Sequence, residues 1–329
     1  MGRILVTGAS GQIGSELVPA LREIHGGDAV IASDIRASDI RASDMRAAPN
    51  ADEGPFEQLD VCDARRLQET IQRHGIDTIY HLAALLSAVA EERPQAAWSL
   101  NMDGLYQVLE AARLMKCAVF IPSSIAAFGP TTPTENTPQD TIQRPTTIYG
   151  VTKAAGELLA DYYASRFGVD TRGLRLPGLI SYKTRPGGGT TDYAVEIFYQ
   201  AIRYRHYACF LAADTRIDMM YMPDAIRAMI ELMQADPSRL THRNAFNLAA
   251  MNFTPEELAT AIRAHIPDFV IEYEIDPVRQ EIADSWPVSV DDSAARAEWG
   301  WKPGYDLERM TAEMLEQLRE RLHPARPGP

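Results

Sequence analysis

The stretch RILVTGASGQIG (3–14) decides the fold. A short apolar run leads straight into Gly8, Gly11 and Gly14, and these open onto a helical pattern over 12–24. Strand, glycine turn and helix, in that order, present backbone N–H groups to a pyrophosphate. A side chain at any of the three glycines would hold the phosphates away from those N–H groups and from the positive helix end. Such a unit also calls for an acid roughly 20 residues further on, to take the adenosine ribose hydroxyls. Gly14 to Asp34 is 20 residues (34 − 14), and Asp34 ends the apolar strand 29–33. A carboxylate there accepts from both hydroxyls and repels a 2′-phosphate, which predicts NAD rather than NADP. Arg36 is the competing sign, a partner for a 2′-phosphate, but Asp34 stands in its way.

Outward from this unit, apolar strands keep alternating with amphipathic helices. Strands are expected at 29–33, 56–61, 77–84, 117–124 and 171–178, and helices at 64–74, 98–115 and 147–167. That alternation predicts an α/β fold: a Rossmann-type doubly wound parallel sheet covered on both faces. The second half is less regular. A Gly/Pro-rich break at 186–189 precedes a helix over 192–204, and IDMMYM (217–222) precedes a helix opening at Pro223. Strands are expected at 245–249 and 268–275, and a last helix at 307–322. In FTPEELATAIRAHI (253–266), Thr254 is placed as N-cap, Pro255 as the first helical residue and Glu257 three after the cap, the pattern of a capping box. No linker divides the chain. Residues 1–178 are expected to form the dinucleotide-binding part with the catalytic helix. Residues 179–329 are expected to form a smaller C-terminal substrate-binding lobe, interleaved with the first part as one folding unit. The tail 323–329 is expected to fray.

The bulk numbers exclude several classes. With 329 residues, 46% hydrophobic and 23% charged, the chain has ample apolar material for a core. A net charge of −13 argues against nucleic acid or an anionic membrane as partner. Cys62, Cys117 and Cys209 are far apart and form no CxxC pair, so neither a disulfide framework nor a zinc site is signalled and no metal is expected. No apolar run reaches the ~18 residues of a membrane helix. The first strand begins at Arg3, which leaves no room for a targeting peptide, and a cytoplasmic location is the default.

The chemistry points to Tyr149-Gly-Val-Thr-Lys153. Four residues is just over one helical turn, so phenol and ammonium share a face. A base that removes a hydroxyl proton near neutral pH needs help if it is a phenol, which titrates near ~10. A Lys ammonium and a cationic nicotinamide both favour the phenolate. Ser123 and Ser124 end the fifth strand, where a serine can bond the substrate oxygen and the phenol. Asp60 and Val61 follow the third strand at the adenine edge, and Leu82, Ala83 and Ala84 end the fourth, where a cofactor can pass. His81 reads as a core histidine or as a catalyst. Gly187 to Gly189 with Thr190 and Thr191 lie at a helix start, a ready anion site, with Asp192 available to an ammonium. The plainer reading of that loop makes Thr191 an N-cap and Asp192 a partner of the helix dipole.

TGASGQIG, Asp34, HLAA (81–84), SSIAAFG (123–129), YGVTK (149–153) and LRLPG (174–178) together resemble the extended short-chain dehydrogenase/reductase family in order and spacing. Glu135 to Pro138 and Pro145 are similar to its NDP-sugar epimerases and dehydratases. YKTRPGGGTTDYAVEIF (182–198) and RQEIADSWPVSVDDSAARAEWGWKP (279–303) resemble instead its short-chain L-threonine 3-dehydrogenases. That resemblance implies NAD-dependent oxidation of L-threonine at its 3-hydroxyl to 2-amino-3-oxobutyrate. It implies Tyr149 as base, with Lys153 and Ser124. Ser87, Ser124, Tyr149, Gly188, Thr190, Thr191 and Asp192 are then expected at the substrate, with Trp286 either closing over it or packing in the core. Cofactor contacts are expected from Gly8, Ser10, Gly11, Gln12, Ile13, Gly14, Asp34, Asp60, Val61, Leu82, Ala83, Ala84, Asn101, Tyr149, Lys153, Leu176 and Pro177, with Ile35 and Arg36 beside the adenine. An NDP-sugar epimerase or dehydratase is the first rival, although dehydratases usually carry an acid after the serine where Ile125 stands here. A non-catalytic NAD-binding regulator commonly lacks the Tyr/Lys pair. A zinc-dependent alcohol dehydrogenase would need clustered ligands that this chain does not show. By analogy with relatives of the fold, the helices 98–115 and 147–167 are the expected surface of a homodimer, and 178–191 is a candidate lid.

The chain departs from those families at 35–54, where ASDIR repeats as ASDIRASDIRASDMR (32–46). A period of five builds no continuous face on a helix or a strand. A duplicated loop segment is expected, in which Asp34 alone has the spacing from Gly14 and Asp39 and Asp44 are dispensable.

Overall fold

The computed structural model describes residues 2–35, 54–184, 187 and 189–322. Arg36, Asp39, Asp44, Gly188 and the tail 323–329 lie outside these. The strands are β1 (Ile4–Thr7), β2 (Val30–Asp34), β3 (Phe56–Gln58), β4 (Thr78–His81), β5 (Ala118–Ser124) and β6 (Thr171–Leu176). They continue with β7 (Gly178–Ile180), β8 (His206–Cys209), β9 (Ile217–Tyr221), β10 (Phe246–Asn247), β11 (Met251–Phe253) and β12 (Val270–Tyr273). Among the described residues, seven strands form one sheet in the order β10-β6-β5-β4-β1-β2-β3, every neighbouring pair parallel. This is the doubly wound Rossmann-type sheet, and its order reverses between β1 and β4, where such sheets open a crevice at their carboxyl ends.

Strand alternation sorts the core into two layers. Ile4 and Val6 of β1 pack with the helices Gly14–His25 and Met222–Gln234 on one face, while Leu5 points to Leu67, Ile71, Leu105 and Val108 on the other. The whole of β1 and β6 is buried, as expected of strands covered on both sides. A third cluster gathers around the helices Tyr193–Tyr204, Pro255–Arg263 and Leu307–Leu322 and reaches Ile125, Ala126 and Phe128 after β5. The helix Pro255–Arg263 opens with the full capping box between Thr254 and Glu257. The halves of the chain interlock: β10 pairs with β6, and Met222–Gln234 lies against the main sheet.

Several elements differ from the sequence pattern for local reasons. The run 77–84 leaves the sheet after His81, and the backbone of Ala83 then passes directly over Gly8. The run 171–178 breaks in two. Pro177 has no N–H to extend the ladder beyond the Ser124–Leu176 pair, and β7 joins β9 in a second sheet instead. Gly178 makes that crossing possible, since a Cβ there would lie 2.4 Å from Met219 Sδ. The helix expected from 98 starts earlier, at Pro94, and passes through a π-type turn at Ser99–Asp103 before Gly104–Met115. Short helices at Ser87–Glu92, Pro277–Asp284 and Ser293–Trp299 carry too few apolar residues for periodicity to announce them. Among the described residues, no helix is long and apolar enough to cross a membrane.

Candidate active site

The cleft lies at the carboxyl ends of β1, β4, β5 and β6, and the glycine turn forms its floor. Gly8 takes φ +69°, and a Cβ on it would meet Ala83 N at 2.7 Å. A Cβ on Gly14 would meet Ala9 Cα and Gly8 O, both at 2.6 Å. At Gly11 the nearest atom is Gly8 O at 3.2 Å, and nothing else lies within 4 Å. The chain itself therefore requires Gly8 and Gly14, whereas the space before Gly11 is open. No side chain caps the start of the helix Gly14–His25, which leaves its positive end to an anion. Ser10 Oγ and Gln12 Nε2 are buried with no protein partner. Asp34 ends β2 with one oxygen accepting from Ser10 N–H (3.0 Å) and the other from Ile35 N–H (2.8 Å). An open glycine, an uncapped helix end, orphaned polar atoms and a carboxylate at the strand end fit a dinucleotide.

Gly8, Gly11, Gln12, Ile13, Gly14, Leu82, Ala84, Leu176 and Pro177 all line this cleft. Other expected cofactor residues stand elsewhere. Ala83 packs beneath Gly8 and lines a second pocket that shares Ala84, Pro122, Ser123 and Lys153 with the cleft. Asn101 sits in the π-type turn, where its amide bonds Leu85 N–H and C=O (2.8 and 3.2 Å) and Thr152 Oγ1 (3.2 Å). Asp60 accepts from Cys62 N–H (2.9 Å), and the side chain of Val61 is in the core. Ile35 is exposed.

The candidate base, Tyr149, hangs from the helix Ile148–Phe167, which Thr147 caps by accepting from Gly150 N–H (3.0 Å). Gly150 brings that helix close to the turn after β5: a Cβ there would stand 2.2 Å from Ala126 O. Tyr149 and Ser124 stand together in the cleft, and Lys153 Nζ donates to Pro122 O (2.7 Å) with its ammonium 5.4 Å from the Tyr149 ring centre. Burial pushes the Tyr149 phenol up to about 12, against the opposing bond from Ser124. Burial also pulls Lys153 down to about 8, against the carboxylate of Glu157. His81 is deeply buried, bonded to Thr7 Oγ1 (3.0 Å) and pushed down to about 3 by burial and by Lys153. It stays neutral and serves the core.

Ser87, Ser124, Tyr149, Thr190, Thr191, Asp192 and Trp286 share the far end of the cleft. Thr190 Oγ1 and Trp286 Nε1 are buried with no protein partner. Asp192, rather than Thr191, precedes the helix Tyr193–Tyr204, and its carboxylate turns back to accept from Gly189 N–H (2.6 Å). Trp286 does both things open to it: it packs in the C-terminal core and lines the cleft. Its segment is held by Asn252, which donates to Val288 O (2.6 Å), and by Asp218, which accepts from Val290 N–H (2.8 Å).

Two features near the site carry no motif of their own. Ser15 bonds Thr184 (2.9 Å), and Glu16 takes a bond from Ser181 and an ion pair from Lys183 (3.4 Å), so the cofactor helix is tied to the segment leading to Thr190. Behind Lys153, Glu157 and Arg175 form a buried ion pair at 2.8 Å. Arg175 comes from another strand, so spacing gives no sign of the pair; Glu157 alone is legible, four residues beyond Lys153.

A doubly wound sheet with a glycine-floored cleft and a Ser/Tyr/Lys group defines a dinucleotide-dependent enzyme of the extended short-chain class. The profile of the NAD dependent epimerase/dehydratase family matches residues 4–249, and the chain belongs to that family and binds NAD. An uncharacterized epimerase/dehydratase of Staphylococcus saprophyticus is 55% identical over 318 residues, 97% of each chain. Among solved structures, an L-threonine dehydrogenase from Clostridium difficile is similar at TM-score 0.93 and 56% identity, with 98% of both chains covered. The holo form of a GalE-like L-threonine dehydrogenase from Cupriavidus necator matches at TM-score 0.90 and 51% identity, over 96% of this chain and 99% of that one.

Proposed function

We propose that the protein is an NAD-dependent L-threonine 3-dehydrogenase that forms 2-amino-3-oxobutyrate. The observation that carries this reading is the pair of orphaned buried groups, Thr190 Oγ1 and Trp286 Nε1, in one cleft with Tyr149 and Ser124. Two unpartnered polar groups beside a general base call for a small polar substrate, and threonine sets a carboxylate and an ammonium beside its hydroxyl. Ser87 and Thr190 hold the carboxylate, and Asp192 offers its charge to the ammonium. The likeness to solved threonine dehydrogenases supports the same substrate.

Gly8, Gly11, Gly14 and the uncapped helix end hold the NAD pyrophosphate, and Asp34 takes the adenosine ribose. Bound NAD supplies the hydride acceptor and a cationic ring. Tyr149 removes the proton from the threonine hydroxyl, which Ser124 orients by a hydrogen bond. Burial, partly offset by Ser124, holds the phenol near 12, so bringing it to neutrality takes about 7 kcal/mol of favourable charge. Lys153 contributes its ammonium, fixed by Pro122 O, and the dry site strengthens that interaction. Among the described residues lining the cleft, Lys153 is the one cation. A nucleoside diphosphate would want more, which favours threonine over a sugar nucleotide, as does Ile125 in place of an acid after Ser124.

The test is direct: NAD and L-threonine are mixed with the protein and the reduced cofactor is followed by absorbance. Tyr149→Phe is expected to lower kcat by ~10²–10⁴-fold. Turnover of a UDP-sugar with no signal from threonine would reverse the reading. A cytoplasmic homodimer belongs to it as well. Trp98, Tyr106, Leu114, Leu158, Tyr162 and Phe167 are exposed on the segments 94–115 and 148–167, and a second copy would cover them. Sedimentation of the protein, and of Leu158→Glu, decides whether it does.

A further inference from the structure

We propose that Glu157 is a positioning residue for this reaction: clamped by Arg175, it locks the catalytic helix onto the end of β5 and so sets where Lys153 and Tyr149 stand. The proposal rests on the dehydrogenase reading above. Its basis is a register. Tyr149, Lys153 and Glu157 are spaced by four and share one helix face. Three successive residues of β5 take one each. Ser124 lies beside the Tyr149 phenol, Pro122 O accepts from Lys153 Nζ (2.7 Å), and Ser123 Oγ donates to Glu157. A slip of the helix by one turn would break all three contacts.

Glu157 is the fixed end of that register. Beyond Ser123, its carboxylate accepts from Gln143 Nε2 (2.6 Å) and from Arg175 Nε and Nη2 (3.1 and 2.8 Å). Arg175 is itself held by Gln139 O (2.8 Å) and Asn247 Oδ1 (3.0 Å), with its guanidinium 4.9 Å over the Phe128 ring. The two charged side chains are only 6% and 8% exposed. A buried pair of this kind adds little stability over apolar residues of the same size, so its place beside the reacting group calls for another reason.

The charge at Glu157 also acts on Lys153. Tyr149 and Glu157 face that ammonium from its own helix, His81 from β4, Pro122 O from β5 and neutral Asn101 from the π-type turn; Arg175 on β6 is engaged by Glu157. His81 is uncharged, so Glu157 is the anion that supports the ammonium against burial.

The chain contains four lysines, Lys116, Lys153, Lys183 and Lys302, so carbon-13 lysine NMR can follow the titration of Lys153 without any substrate. In Glu157→Gln the Lys153 midpoint is expected to fall by roughly one unit, a tenfold loss of proton affinity. The alkaline limb of kcat should move down in pH with it, and kcat should fall further than KM for threonine changes. Glu157→Asp should recover part of both. Because Glu157→Gln leaves Arg175 as a lone buried charge, the double variant Glu157→Gln/Arg175→Met is measured beside it, with its fold checked by circular dichroism. A Lys153 shift in the same direction there supports the proposal. A parent-like Lys153 titration and pH profile in either folded variant overturns it, leaving Glu157 as a counterion for Arg175. If the parent protein does not oxidise threonine at all, the substrate assignment falls, and the Lys153 titration still decides this proposal.

Discussion

At the scale of single residues, the three glycines that opened the sequence are not equivalent. Gly8 and Gly14 are required by neighbouring backbone, with added Cβ atoms falling 2.7 and 2.6 Å from it. Gly11 meets one atom, at 3.2 Å. Gly14→Ala is therefore expected to cost about 1–3 kcal/mol in urea unfolding, as overpacking does. Gly11→Ala should keep a melting temperature near that of the parent and raise KM for NAD, because its methyl enters the space a pyrophosphate takes. Equal losses of stability in the two variants would contradict this division. The spacing identified all three positions, yet only the packing around each separates the glycine that serves the ligand from those that serve the chain.

At the scale of elements, the helix Ile148–Phe167 is set by contacts at both ends of the Tyr149–Glu157 face. Gly150 lets it approach Ala126 O, and a methyl at 2.2 Å from that oxygen must push the helix away. Gly150→Ala is expected to lower kcat at least ~10-fold, since small misplacements of a reacting group are costly. Its affinity for NAD, measured by equilibrium binding, should change less. The helix, its Tyr/Lys pair and its strand were legible because each is local: a four-residue spacing and an apolar run followed by serines. The Glu157–Arg175 pair was not, because strand and helix meet only after the sheet is assembled. The crossing at Pro177 is intermediate. The proline announces a break in the ladder, but nothing in the neighbouring residues says that β7 will join β9. Asn101 was expected at the cofactor only through the family resemblance; in the π-type turn its amide bonds Leu85 and Thr152.

At the scale of the whole molecule, a neutral histidine at the centre of the main sheet ties stability to pH. His81 titrates near 3 in the folded protein and near ~6.5 when unfolded. Below about 6.5 the unfolded chain takes up a proton that the folded one refuses, so stability is complete above that pH and drains away towards 3. The shift corresponds to roughly 5 kcal/mol across the window. Asp218, raised to about 6 by burial, works in the opposite sense, and a comparison with His81→Gln cancels it. The difference in urea midpoint between parent and variant should therefore change steadily from pH 6.5 downwards, with the parent losing ground. A difference independent of pH would show that folded His81 binds its proton normally. The bonds of Ser15 and Glu16 to Ser181, Lys183 and Thr184 have a consequence of a different kind. They fasten one wall of the nucleotide cleft to the segment that leads to Thr190. On the proposed reading, whatever factor NAD contributes to threonine affinity, threonine must return to NAD, and this joint is one place where the two sites meet.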